Sequence, residues 1–244
     1  MKELTDNDKE RYARQIILDG FGVEGQMRLK GATVFIAGAG GLGSAVSTYL
    51  AASGVGTIKI CDHDLVELSN LNRQVLHTDK QINTRKALSA KKHLRKINPT
   101  VRIKALCETI DEETVMKLVG RSAIIVDCMD NLPTRLILNK CAVKKKIPFV
   151  FGSVSGLKGY VSFFHVPDTP CLECIFQDTT NEGQFPVIGA TPGVIGSLQA
   201  MEVIKYLTGV GVNLKNQLLI FDGVIPSWKT IQIAREPHCL VCGR

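Results

Sequence analysis

The chain has 244 residues, 45% of them apolar and 22% charged, a balance that excludes disorder and leaves room for one large core or two modest ones. No stretch approaches the roughly 20 uninterrupted apolar residues of a bilayer span, and residues 1–10 are too polar for a signal peptide, so the expectation is a cytoplasmic protein with no membrane partner. The net charge of +7 invites a nucleic-acid reading. Yet the excess is largest in one run, Arg85, Lys86, Lys91, Lys92, Arg95 and Lys96, on a predicted helix. That run reads first as a solvated helix face, second as positive potential for a polyanion such as ATP or an acidic protein, and only third as a site for RNA or DNA. No nucleic-acid partner is expected.

In chain order, Thr5 followed by Asp8 predicts a capped helix through Arg11, Tyr12, Arg14 and Ile17, with both arginines near one side. Short apolar runs at 33–37, 57–61, 101–105, 123–127 and 148–151 read as buried strands. Helical patterns around 42–53, 85–97, 112–119 and 134–145 separate them. This alternation predicts an α/β fold, a Rossmann-like mostly parallel sheet with helices on both faces. After Gly152 the pattern changes: 160–166 and 228–234 read as antiparallel strands, and Asp222-Gly223 beside the apolar run 218–221 is a turn signal. Between them 193–207 reads as a mainly apolar helix ending at Thr208-Gly209. With no repeat or linker, the expectation is a single domain, with 1–150 as a nucleotide-binding half and 151–244 as a second half.

Gly38-Ala39-Gly40-Gly41-Leu42-Gly43 lies between a predicted strand and a predicted helix, so Gly38, Gly40 and Gly43 supply a G-x-G-x-x-G turn. Such a turn lets backbone N–H groups approach a phosphate at a helix N-terminus. Asp62 ends the next strand, where a carboxylate accepts hydrogen bonds from a ribose. These features favour an adenine nucleotide, with NAD the first choice on them alone and a ligand-free structural turn the plain alternative. Downstream, Asp64, Ser69, Asn70, Asn72, Arg73 and Gln74 form a polar segment followed by Lys86. Arg73 and Lys86 suit the developing charge of a pyrophosphate leaving group better than they suit nicotinamide, although each alone reads as surface chemistry. Asp130 follows the strand at 123–127 and is placed to hold Mg2+ against phosphates. Asp130-Asn131-Leu132-Pro133 equally reads as a helix cap.

Four of the eight cysteines form two Cys-x-x-Cys pairs, Cys171/Cys174 and Cys239/Cys242. In a chain this long without an export signal, that arrangement points to a tetrahedral Zn2+ site with no open position, hence a structural one. His238, beside Cys239, reads as an exposed or supporting residue. Cys61, Cys107, Cys128 and Cys141 read as core.

The set Arg11-Tyr12-x-Arg14-Gln15-Ile16, Gly38-x-Gly40-Gly41-Leu42-Gly43, Asp62-x-Asp64, Ser69-Asn70-Leu71-Asn72-Arg73-Gln74, Lys86, Asp127-Cys128-x-Asp130-Asn131 and both cysteine pairs resembles the ThiF/MoeB/HesA superfamily. These are bacterial relatives of ubiquitin-activating enzymes, and the likeness runs over nearly the whole chain. The resemblance implies a Mg-ATP site at Gly41, Asp62, Asn70, Arg73, Lys86 and Asp130. Gly38, Gly40, Gly43, Asp64, Ser69, Asn72, Gln74 and Asn131 complete that site, and Arg14, Arg73, Lys86 and Asp130 carry the chemistry. It further implies a homodimer in which Arg14 reaches the γ-phosphate of the other subunit. The substrate it implies is a small ubiquitin-like sulfur-carrier protein whose C-terminal Gly-Gly carboxylate is adenylylated. Members with a covalent sulfur or thioester link carry a crossover cysteine, and 177–192 contains none, so no enzyme-bound acyl intermediate is expected there. No fused rhodanese-like domain is expected either. Asn83-Thr84-Arg85 replaces a glycine usual before the lysine. The rival readings are a NAD-dependent oxidoreductase, carried by the glycine turn and Asp62, and a binding scaffold that has lost turnover.

Overall fold

A computed structural model describes residues 3–176 and 186–243. Its centre is an eight-stranded sheet in the order β3-β2-β1-β4-β5-β6-β7-β8. The strands are β1 (Thr33–Ala37), β2 (Thr57–Cys61), β3 (Arg102–Leu106), β4 (Ile124–Asp127), β5 (Phe149–Ser155), β6 (Lys158–Phe164), β7 (Gln217–Asp222) and β8 (Ser227–Gln232). Strands β1 to β5 pair in parallel, and β5 to β8 continue the same sheet antiparallel. The mixed sheet expected from the sequence is therefore present. The change of pattern placed at Gly152 falls inside β5, which runs on to Ser155 and pairs with β6 in register.

The helices are α1 (Asp6–Arg11), α2 (Ala13–Ile16), α3 (Gly22–Gly31), α4 (Gly41–Ala52), α5 (Lys86–Ile97), α6 (Val115–Val119), α7 (Leu132–Lys145) and α8 (Ala190–Thr208). Two apolar clusters cover the two faces of the sheet. One joins Leu42, Val46, Leu50, Leu94, Ile195 and Val203 to Ile36, Ile58 and Val150. The other joins Leu118, Leu138 and Cys141 to Phe35, Ile125 and Phe149. Helices on both sides are what a parallel sheet needs, because each of its strands buries both faces.

Two differences from the sequence reading concern the N-terminal arm. The helix begins as predicted, with Thr5 and Asp8 forming a reciprocal capping box, but it breaks at Tyr12. The phenol of Tyr12 is drawn inward to accept a hydrogen bond from Asn98 Nδ2 at 2.8 Å. The sequence reading also lacked α3. Its buried residues are Gly25, Gln26 and Leu29, and a helix whose buried stripe contains a glycine and a glutamine gives almost no apolar period to read. Gln26 belongs in the core because its amide donates to Ser53 O at 3.0 Å and its Oε1 accepts from Gln15 at 2.8 Å.

The register brings the working end of the sheet level. Ala37 pairs with Cys61 on one side and Asp127 on the other, so the loops after β1, β2 and β4 leave from one line. The chain winds outward from β1 to β3 and then returns to place β4 on the far side of β1. The crevice between β1 and β4 is the switch point at which doubly wound sheets bind ligands. Among the described residues no helix is long and apolar enough to cross a membrane.

Candidate active site

The glycine turn is fixed by close backbone contacts. Gly38 has φ of +97°, and a Cβ on it would lie 2.6 Å from the carbonyl oxygen of Cys128. A Cβ on Gly43 would run into the carbonyl oxygen of Gly38, so only glycine lets α4 sit directly on the end of β1. Gly40 caps α4 and Gly41 begins it, which leaves the first-turn amides of the helix aimed into the crevice.

Around this turn the predicted polar residues gather. Asp62 Oδ2 accepts from the Ala39 amide at 2.8 Å and Oδ1 from the Asp64 amide at 2.9 Å. Burial pushes the Asp62 carboxyl above its ordinary value, against the pull of the Ala39 amide and Lys86. Lys86, the first residue of α5, is turned inward, away from the exposed Lys92, Arg95 and Lys96 of the same run. Its ammonium lies 2.8 Å from Asp64 Oδ2. Against the upward push of burial, that contact holds the Asp64 carboxyl below its ordinary value. The basic run expected to be a solvated face is thus a solvated face with one cation in the site.

A short 3-10 turn at Leu68–Asn70 presents the next group. Asn70 is buried, and its Oδ1 accepts from the Glu67 amide at 3.2 Å. Arg73 Nη1 donates to Ser69 O at 2.9 Å and to Asn72 Oδ1 at 3.0 Å, which folds its guanidinium over this turn. Gln74 packs against Gly40, and its buried Oε1 has no hydrogen-bond partner. An orphaned acceptor beside a phosphate-type turn is a position a ligand donor would satisfy.

Across the crevice, Asp130 is exposed at the head of α7, and Asn131 Nδ2 donates to its Oδ1 at 3.3 Å. Asn131 is also the helix N-cap, accepting from the Thr134 amide at 3.0 Å, with Pro133 in the first turn. The capping pattern is present, and it engages only Oδ1 of Asp130.

Arg14 is not part of this assembly. Its helix, α2, is anchored where Gln15 donates to Ser53 O at 3.2 Å, at the C-terminal end of α4. The glycine turn is at the other end of that helix, about 18 Å away by helical rise. Arg14 is exposed there. The zinc candidates form a separate cluster. Cys171, Cys174, Cys239 and Cys242 place all four Sγ atoms within 4.8 Å of one another, with Cys171 and Cys239 at 3.7 Å and Cys174 and Cys242 at 3.4 Å. A tetrahedron of thiolates about 2.3 Å from zinc has edges of about 3.8 Å, so the donor set fits that ion.

The sequence reading missed the pair beneath Asp130. Asp127 is fully buried and its Oδ2 lies 2.6 Å from Arg135 Nη1. The same guanidinium donates to Gly152 O at 2.7 Å and to Met129 O, and it lies over the Phe151 ring at 5.1 Å. One side chain therefore ties the end of β4, the loop before Asp130 and β5 together. A signal was available: Arg135 stands in the first turn and a half of a predicted helix, where a cation opposes the dipole and needs a specific partner.

The class defined here is an α/β protein of the doubly wound type, with a glycine turn at a helix N-terminus and cations and carboxylates beside it at its switch point. The chain belongs to the ThiF family, whose sequence pattern runs through residues 12–241. It is 40% identical over 250 residues to the sulfur carrier protein adenylyltransferase of Thermus thermophilus, covering 98% of this chain and 92% of that protein. It is also 40% identical over 248 residues to the adenylyltransferase and sulfurtransferase MOCS3 of Mus musculus, covering 99% of this chain and 54% of that protein. The chain thus spans about half the length of MOCS3. The E. coli MccB structure with ATP superimposes with a TM-score of 0.87 at 26% identity, covering 98% of this chain and 75% of that one. The oxidoreductase and inactive-scaffold readings find no support among these proteins.

Removing Arg135 strands a buried carboxylate, and Arg135→Ala is expected to cost about 3–5 kcal/mol and about 10 °C in melting temperature. Burial raises the Asp127 carboxyl from 3.8 to about 6, against the Arg135 charge. Without Arg135 the carboxyl is raised further, so the deficit of the variant should be largest at high pH, narrow as the pH falls toward about 6, and be small below it. Melting curves of both chains across that range check this, and a deficit independent of pH would contradict the stranded charge.

Proposed function

We propose that this chain adenylylates the C-terminal Gly carboxylate of a small ubiquitin-like sulfur-carrier protein with Mg-ATP and releases pyrophosphate, in a pathway that makes a sulfur-containing cofactor. The observation that carries the reading is the convergence of the glycine turn, Asp62, the Lys86–Asp64 pair, Arg73 and Asp130 on one crevice. The activities for which the Thermus and mouse relatives are named support it. In this reading residues 1–150 hold the nucleotide and 151–244 receive the carrier, within one adenylyltransferase domain.

Asp62 accepts hydrogen bonds from the nucleotide ribose, and the phosphates lie along the amides at the start of α4. The carrier tail reaches the α-phosphate over the ends of β4 and β5. Its carboxylate is already ionised at neutral pH and needs no general base. A carboxylate oxygen attacks the α-phosphorus, the bond from that phosphorus to the bridging oxygen breaks, and pyrophosphate departs with the electron pair. Lys86 and Arg73 offset the charge that grows on the leaving group, so catalysis is positioning and electrostatic stabilisation. Lys86 is held between uses by Asp64, which keeps an ammonium inside a half-buried site without an unpaired charge. Asp130, with one carboxylate oxygen outside the cap, suits Mg2+, an ion that takes one or two carboxylates along with phosphate oxygens and neutralises part of their charge.

Arg14 serves the site of a second copy, because its own lies a helix length away. A homodimer has a surface to use: Tyr49, Val75, Val194, Met201 and Trp228 line an open apolar groove of about 590 Å³ between α4, α8 and β8. Zinc held by the four cysteines ties the C-terminal tail to the segment after β6. Cytoplasmic residence follows from this chemistry, which consumes ATP.

Asp130→Ala is expected to abolish carrier-dependent exchange of labelled pyrophosphate into ATP while the melting curve stays unchanged; full exchange would remove Asp130 from the mechanism. Arg14→Ala and Arg73→Ala chains, each inactive alone, should regain up to about a quarter of the activity when mixed, since random pairing gives half hybrids with one intact site each. Hybrids that stay inactive would rule out a shared site. Stripping zinc with a chelator should lower the melting temperature, with one zinc per chain by metal analysis, because ligation energy is folding energy; an unchanged melting curve would contradict the structural role.

A further inference from the structure

His77 lies outside every motif described above. It follows the Arg73-Gln74 segment, is 5% exposed, and directs its ring under the glycine turn. Nε2 is 3.0 Å from the carbonyl oxygen of Ala39, and Nδ1 is 2.8 Å from Ser89 Oγ. A carbonyl oxygen only accepts, so the hydrogen must be on Nε2. Burial, with Lys86 and His93 nearby, pushes the imidazole below its ordinary value. The ring is therefore neutral, its Nδ1 is a bare acceptor, and the Ser89 hydroxyl donates to it.

Ala39 is the residue whose amide Asp62 already holds at 2.8 Å. One residue of the turn is thus gripped on its N–H by a carboxylate and on its C=O by an imidazole. The grips close into a ring. Asp62 leads through the Asp64 amide and carboxylate to Lys86, the first residue of α5. Ser89, one turn along the same helix, leads through His77 back to Ala39. The cation that faces the phosphates and the turn that cradles them are therefore mounted on one frame.

We propose that His77 is a positioning residue for the nucleotide: through Ala39 it fixes the peptide orientation of the glycine turn, and through Ser89 it ties that turn to the helix that delivers Lys86. His77 touches neither substrate nor reacting atoms in this arrangement. The proposal rests on the adenylation reading, and the test keeps the two apart.

Equilibrium dialysis with labelled ATP is compared for the native chain, His77→Phe, His77→Gln and Ser89→Ala, alongside melting curves and pyrophosphate-exchange kinetics. The native chain should bind ATP. His77→Phe keeps the bulk without the donor and should bind it about five- to tenfold more weakly, with KM for ATP rising in step and kcat nearly unchanged. His77→Gln, whose amide N–H can reach the Ala39 carbonyl, should recover most of that affinity, and Ser89→Ala should fall between. A native chain that binds no ATP sinks the adenylation reading itself. Native binding with His77→Phe within twofold of it, or equal impairment of the Phe and Gln variants, overturns the role of His77 alone. If the Phe variant does not fold, the histidine nitrogen spectrum of the native chain decides. Hydrogen on Nε2, bare Nδ1 and a shift of Nε2 on ATP saturation are expected. Hydrogen on Nδ1, or a resonance that ATP leaves unmoved, overturns the proposal.

Discussion

The structure turns on a contact between two stretches of backbone. Helix α4 rests on the end of β1 with no side chain between them, because Gly43 lies against the Gly38 carbonyl and Gly38 against that of Cys128. Behind α4 the approach is repeated, with Gly196 of α8 set against the Leu42 carbonyl and Ala45. Packing this tight fixes the helix axis within fractions of an ångström, since interiors are close-packed and resist displacement. Its amides then point at one place in the crevice. Everything polar in the site is arranged around a direction that glycine packing sets.

Charge is the next constraint. In the proposed function the crevice attracts a polyanion, and buried cations without partners are costly. The protein resolves this by giving each cation a local acceptor: Lys86 has Asp64, Arg73 has Ser69 O and Asn72 Oδ1, and Arg135 has Asp127 and two carbonyls. Each of the first two sets has an exposed or half-exposed end, and in the proposed function its contacts are exchanged for phosphate oxygens. The third is buried at both ends and cannot, which marks Arg135 as part of the frame that carries Asp130.

Much of this was legible in the sequence where a local rule and the tertiary role coincide. The strand at 33–37, the glycine turn and the acid at position 62 are consecutive, so one βαβ unit displays them in order. The two cysteine pairs announce themselves by spacing, although their closure across the molecule is a tertiary fact. Where packing rather than period decides, the sequence is mute. Helix α3 buries Gly25 and Gln26, and the chain breaks at Tyr12 to satisfy Asn98. His77 and Arg135 work through single long-range hydrogen bonds, to Ala39 and Gly152, which no short pattern encodes.

The place of Arg14 follows from the same geometry. The glycine turn must stand at the C-terminal edge of the parallel strands, because that is where amides and strand-end loops converge. The N-terminal arm is pinned to the opposite edge by Tyr12, Gln15 and Gln26, which engage Asn98 and Ser53 O. An arginine on that arm cannot serve its own crevice without unmaking those buried bonds, each of which costs about 1–3 kcal/mol when a partner is left unsatisfied. A second copy requires no such sacrifice. In the homodimer proposed above, lending the arm outward leaves both the core bonds and the proposed active-site cation in place.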